Sequence, residues 1–196
     1  NNSIFTSNTA NNNGGAVYWI GTNGKLSYCT FTSNSATRGG GAVEWNSGNG
    51  TLSSSIFNEN AANTNGGAIW WSYSAINCVL TDCNFNNNFA NVHGGAIYWN
   101  GVKGTINKSI FIGNTANSGG GAVVWSSNSV NSSLTNSIFS GNTANNFGGA
   151  VYWYGLNSTM FNCNFTNNQA EFGDNVYWRW TVEDFLNKYG QINDYD

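Results

Sequence analysis

Charge is what this chain has least of. Asp, Glu, Lys and Arg together make up 8% of its 196 residues. The six basic residues, Lys25, Arg38, Lys103, Lys108, Arg179 and Lys188, are scattered and form no stripe or patch. Nucleic-acid binding, which needs clustered cations against phosphate, is therefore excluded as an expectation. No run is long and apolar enough to span a bilayer by itself. Proline is absent, histidine occurs once, and no signal peptide is visible. The chain begins at Asn1 in the middle of a repeat, so it reads as a mature product or an excised segment and missing targeting signals say little. The polar, Gly- and Asn-rich background resembles that of disordered chains, but those combine low hydrophobicity with high charge. Here 12 Phe and 9 Trp recur at fixed spacing.

That spacing is the dominant signal. Phe-x-x-Asn occurs seven times, with phenylalanines at Phe5, Phe31, Phe57, Phe85, Phe111, Phe139 and Phe165, in steps of 26, 26, 28, 26, 28 and 26. The asparagines are Asn8, Asn34, Asn60, Asn88, Asn114, Asn142 and Asn168. Gly-Gly-Ala-Val/Ile-x-Trp occurs six times, ending at Trp19, Trp45, Trp71, Trp99, Trp125 and Trp153. A third column is aliphatic: Leu26, Leu52, Leu80, Ile106, Leu134 and Met160. A period in the twenties is too short for a propeller blade or a helical hairpin, and one leucine per unit is too few for a leucine-rich repeat. Short β-rich segments separated by Gly and Asn turns fit one coil of a solenoid per repeat. Each coil buries its apolar side only by stacking on its neighbours. The expected fold is all-β: a right-handed parallel β-helix of about seven coils, a rod on the order of 30 Å long at the usual strand spacing.

Side chains alternate along a strand, so Val17 and Trp19 share a face and the residue between them faces the other way. The constant Val/Ile and Trp positions are expected inside. The variable position (Tyr18, Glu44, Trp70, Tyr98, Val124, Tyr152) is expected outside. The Asn column is expected at a turn, its amides bonding to backbone and to the next coil. The glycines before each Ala are expected to supply positive φ or close backbone approach. The two 28-residue coils gain their extra residues near Ser74–Cys78 and Ser127–Asn131, which marks that turn as the tolerant one. Residues 1–180 form the repeat region. Residues 181–196 are expected to form a short capping helix and tail: Thr181 suits an N-cap, Asp184 a capping box and Gly190 a C-cap, with Val182, Phe185, Leu186 and Tyr189 on the apolar face.

Phe31-Thr-Ser-Asn34 and Gly40-Gly41-Ala42-Val43, repeated through residues 1–178, resemble the repeats of chlamydial polymorphic outer membrane proteins. Similar repeats occur in large adhesin-like surface proteins of methanogenic archaea, and the Asn-rich, proline-free character here resembles the archaeal type. The resemblance implies a secreted or surface-attached β-helix used in adhesion. It carries over no residue-level binding site. The Trp three residues after each Ala is an addition to the common motif, and no membrane barrel is implied.

Chemistry at named sites is thin. Many β-helices act on polysaccharides, which needs paired carboxylates or a carboxylate with a metal and a base. Glu44, Glu59 and Asp82 occupy different columns and coils, and Glu171, Asp174, Glu183 and Asp184 belong to the end region. No catalytic residue, metal site or cofactor is assigned. His93, just before Gly94-Gly95, reads as a solvated turn residue. Cys29, Cys83 and Cys163 share a column; the first two lie two coils apart, roughly 10 Å, too far for a disulfide. Cys78 pairs poorly with Cys83, so free thiols in a small-residue slot are expected. Exposed aromatics stack on sugars or proteins, which makes Tyr18, Trp70, Tyr98 and Tyr152 the candidate contact face. Asn49, Asn107, Asn131 and Asn157 begin glycosylation sequons. The expected function is a non-enzymatic, extracellular or cell-surface adhesin-like segment whose partner is a surface protein or glycan. A structural module stacking head-to-tail into a fibre and a polysaccharide-active enzyme are the alternatives.

Overall fold

The structure, a computed structural model, describes residues 1–179, and among them every regular element is a β-strand. Each coil runs once around the axis and returns beside its own previous pass, so like pairs with like: Phe5 with Phe31, Trp19 with Trp45, Leu26 with Leu52. Four parallel sheets result. The Phe sheet has seven strands, from Ile4–Thr6 to Asn164–Thr166. The Trp sheet also has seven, from Val17–Trp19 to Val176–Trp178. The Leu sheet has six, from Lys25–Ser27 to Thr159–Phe161. A fourth sheet, of six two-residue strands from Thr9–Ala10 to Thr143–Ala144, follows the asparagines and was not read from the sequence. The expected capping helix from Thr181 to Gly190 lies outside the described residues.

The core is a bundle of like-on-like stacks. Phe rings of adjacent coils lie 4.7 to 5.0 Å apart with nearly parallel planes, set by the spacing of paired strands. Trp rings form a second stack, with neighbouring centroids 4.7 to 5.2 Å apart. The Phe, Trp and aliphatic columns of the middle coils are fully buried, each large side chain contributing roughly 1.5–3 kcal/mol against the entropy of ordering it. The indole Nε1 atoms of Trp45, Trp71, Trp99, Trp125 and Trp153 have no hydrogen-bond partner among the described residues, so ring contact rather than hydrogen bonding holds that column. The shared Cys and Ser column (Cys29, Ser55, Cys83, Ser109, Ser137) fills the slot beside the Phe rings, and the four cysteines are free.

The asparagines form a continuous amide ladder. Asn60 Oδ1 accepts from the backbone N–H of Asn34 at 3.0 Å and from its Nδ2 at 2.9 Å. Asn60 Nδ2 in turn donates to Asn88 Oδ1 and to the carbonyl of Phe31, both at 3.0 Å. The pattern repeats through Asn88, Asn114 and Asn142 to Asn168. The residue before each ladder Asn has left-handed φ: 53° at Ser33 and 54° at Glu59, for example. That strain, about 1–2 kcal/mol for a non-glycine residue, is held by the ladder bonds on either side of the corner.

The Gly-Gly pair divides its work. The first glycine is left-handed (Gly40 at φ 65°). The second is a close approach: a Cβ on Gly41 would sit 2.1 Å from the carbonyl oxygen of Gly67. The extra residues of the long coils form tight turns after the Trp column, closed by Ala75 N–H to Ser72 O at 3.0 Å and Ser129 N–H to Ser126 O at 2.9 Å.

Candidate functional face on the Trp sheet

Because Trp points inward, the middle residue of each Trp-sheet strand points out. In register these are Tyr18, Glu44, Trp70, Tyr98, Val124, Tyr152 and Tyr177. The four aromatics expected on this face are all on it, but they do not stand bare. Tyr18 is 53% exposed, Trp70 and Tyr98 are half-buried, and Tyr152 is only 1% exposed. The correction has a geometric cause. The turn five residues earlier in each coil forms its own column, through Asn13, Gly39, Asn65, His93, Gly119, Phe147 and Phe172, which runs alongside and covers the row.

The two columns interlock. In the coils where the row carries Glu44 and Val124, the turn column carries Gly39 and Gly119. A Cβ on Gly39 would lie 2.1 Å from the Trp70 ring, and one on Gly119 would lie 2.4 Å from the Tyr152 ring. Trp70 and Tyr152 therefore lean one coil back, over the glycines. Phe147, Tyr154 and Tyr177 close around Tyr152 with ring centroids at 5.4, 4.3 and 5.4 Å. Arg179 lies 5.4 Å over the Tyr154 ring.

Glu44 is 4% exposed, and its Oε2 has no hydrogen-bond partner among the described residues. Burial raises its pKa, against the lowering effects of a hydrogen bond from Asn13 and the charge of Arg38. His93, expected to be solvated, is instead half-buried between Tyr98 and Tyr152, with ring centroids at 6.5 and 6.2 Å. Its Nδ1 is buried with no hydrogen-bond partner among the described residues, and desolvation lowers its pKa, which favours the neutral ring.

Where Val124 stands in for an aromatic ring, the face has a recess of about 110 Å³ lined by His93, Tyr98, Val124, Ser126, Ser127 and Tyr154. Its walls come from three sources: the turn column, the outward row, and the residues following the strand. Ser127 belongs to the extra loop of the long coil. Ser126 Oγ donates to Asn100 Oδ1 and accepts from the backbone N–H of Asn128 at 3.3 Å.

The remaining expected site residues lie elsewhere. Asn49, Asn131 and Asn157 are exposed at one corner, in the same column and with φ of 57°, 56° and 51°. Asn107 differs: it lies in a Leu-sheet strand, and its Oδ1 accepts from Thr135 Oγ1 at 3.0 Å and Asn136 Nδ2 at 2.8 Å. Glu59 and Asp82 sit at two other corners of the coil. Among the described residues no group of three or more His, Cys, Asp or Glu side chains is placed to hold a metal ion, and no helix is long and apolar enough to cross a membrane.

The family model described as the Chlamydia polymorphic membrane protein repeat matches residues 2–18, 28–43, 54–70, 82–98 and 136–152. Each match begins before the Phe strand, crosses the Asn ladder and ends on or just before the outward row. The chain therefore carries repeats of this type, and their stacking as a parallel β-solenoid fits a surface-type protein. No curated protein and no solved structure matches the chain.

Proposed function

We propose that these stacked polymorphic-membrane-protein-type repeats form a non-enzymatic, adhesin-like segment of a cell-surface or extracellular protein, and that the outer face of the Trp sheet is its contact surface. The observation that carries this reading is the gathering of Tyr18, Trp70 and Tyr98, all at least partly exposed, along one face of the stacked coils. Tyr and Trp are side chains that supply contact area at low entropic cost. The separation of Glu44, Glu59 and Asp82 onto different faces and corners supports a binding rather than a hydrolytic role. The Asn-rich, proline-free composition supports kinship in character with adhesin-like surface proteins of methanogenic archaea. The exposed sequons at Asn49, Asn131 and Asn157 support glycan attachment in a glycosylating host, whereas Asn107 is held in its sheet. Intact-mass measurement after expression in such a host checks that difference.

The test is attachment of the purified chain to cells and to a glycan array, comparing wild type with Tyr18→Ser/Trp70→Ser and with Ile110→Ser/Ile138→Ser on the outer face of the Phe sheet. Loss of binding confined to the Trp-sheet pair is the expected result. Equal loss in both, or loss confined to the Phe-sheet pair, refutes the assignment of the face.

A further inference from the structure

We infer that the recess around Val124 is a binding site for a single neutral hexopyranose ring. This deepens the proposed function and rests on the reading of the Trp-sheet outer face as a contact surface.

Four observations carry it. The recess exists because of two local departures from the repeat: a small aliphatic at Val124 between Tyr98 and Tyr152, and the extra residues that bring Ser127 to the rim. At about 110 Å³ it lies well below the size of pockets that enclose a whole ligand, so it takes no more than one ring seated at an open mouth, and not an extended chain. Its lining pairs aromatic surface on Tyr98 and Tyr154 with the exposed hydroxyl of Ser127, while the Ser126 hydroxyl is already bonded to Asn100 and Asn128. A sugar ring has the complementary make-up, with an apolar C–H face bordered by hydroxyls that both donate and accept. Finally, the lining contains no carboxylate or ammonium group, and burial favours the neutral form of its one titratable cation-former, His93. The Arg179 guanidinium lies 5.4 Å over the Tyr154 ring and is not among the lining residues.

Tyr154 is the stacking platform, since it is half-buried and held from behind by Tyr152 at 4.3 Å. Ser127 is exposed at the rim, so a bulky side chain there closes the recess without entering the core.

The experiment is two-dimensional amide NMR of the intact chain, titrated separately with D-glucose, D-galactose, D-mannose, N-acetyl-D-glucosamine and, as a charged comparator, D-glucuronic acid. At least one neutral sugar is expected to shift the amides of Ser126, Ser127 and Tyr154 saturably, with Kd in the range of about 1–10 mM that suits one ring on an open site. Tyr154→Ala is expected to weaken binding roughly threefold to tenfold, and Ser127→Trp to abolish it with the remaining spectrum intact. Ile56→Ser, exposed on the Phe sheet away from the contact face, is expected to leave it unchanged. Preference for glucuronic acid, shifts mapping elsewhere, or no shift with any neutral sugar overturns the inference. If the sugars fail while the Trp-sheet variants still abolish attachment to cells, only the ligand assignment falls. If both fail, the contact face falls with it.

Discussion

Replacing Asn114 by Ala tests the amide ladder at its most enclosed point. Asn114 Oδ1 accepts from the backbone N–H of Asn88 at 3.0 Å and its Nδ2 at 2.9 Å, while Asn114 Nδ2 donates to Phe85 O at 3.0 Å and to Asn142 Oδ1 at 2.9 Å. Truncation takes the side-chain acceptor from the Asn88 N–H inside the core and removes one bond each from the Asn88 amide, the Phe85 carbonyl and the Asn142 oxygen. A buried donor left unsatisfied costs about 1–3 kcal/mol, and the weakened partners add to it, so the expected loss is about 3 kcal/mol. Asn8 provides the contrast: it is exposed and donates to Asn34, and no ladder residue precedes it among the described residues. Asn8→Ala is expected to cost less than about 1 kcal/mol. Urea unfolding followed by tryptophan fluorescence measures both, with the slope m compared between variants to establish that the same surface is exposed. A loss below about 1 kcal/mol for Asn114→Ala, or equal losses at the two positions, refutes the ladder as a source of stability.

Gly67→Ala places a Cβ 2.1 Å from the carbonyl oxygen of Gly95, so it is expected to cost more than about 3 kcal/mol or to block folding, while Gly21→Ala, whose nearest contact would be Trp19 Nε1 at 3.5 Å, is expected to be near neutral by the same urea titration. Glu44 has its carboxyl pKa raised by burial, so it binds its proton more tightly folded than unfolded: its contribution is full below the ordinary value of 4.5 and is lost as pH rises through the folded value. Glu44→Gln is therefore expected to raise the urea midpoint at pH 7, with the gain vanishing toward pH 4. Burial pushes the Cys78 thiol up to about 11 and the Cys83 thiol up to about 12 from an ordinary 9.0, so the stability these thiols contribute is lost between about pH 9 and pH 12, measurable as a falling Tm. At pH 8 a thiol reagent is expected to modify half-buried Cys163 first and to leave Cys83 untouched until unfolding.

The coil, its period and its inward columns were legible because a stacked solenoid forces each buried position to repeat, and Phe, Trp and Leu cannot be exchanged within a stack without leaving a void. The short Ala sheet was missed, although Ala10, Ala36, Ala62, Ala90, Ala116 and Ala144 keep a fixed distance from the asparagines; two-residue strands have no alternation to read. Left-handed corners at Tyr28, Ser54, Asp82 and Lys108 were equally hidden, because corner geometry is imposed by the coil and tolerated by many side chains. The recess was half legible. Val124 stands among aromatics in the variable outward position, but parity along a strand speaks only of direction and not of what lies above. The available signal was the coincidence of Gly39 with Glu44 and of Gly119 with Val124, five residues apart in each coil, where a missing side chain makes room for the next coil's ring.

The like-on-like register of the coils also decides how the rod meets a pulling force. Its backbone hydrogen bonds run between coils, along the axis. Tension between its two ends therefore opens them one coil at a time instead of shearing whole sheets at once. Each coil that peels away trades a rise of about 4.8 Å for as much as roughly 90 Å of extended chain. A tether built this way lengthens in steps under load and leaves the coils still stacked, with whatever they hold, undisturbed.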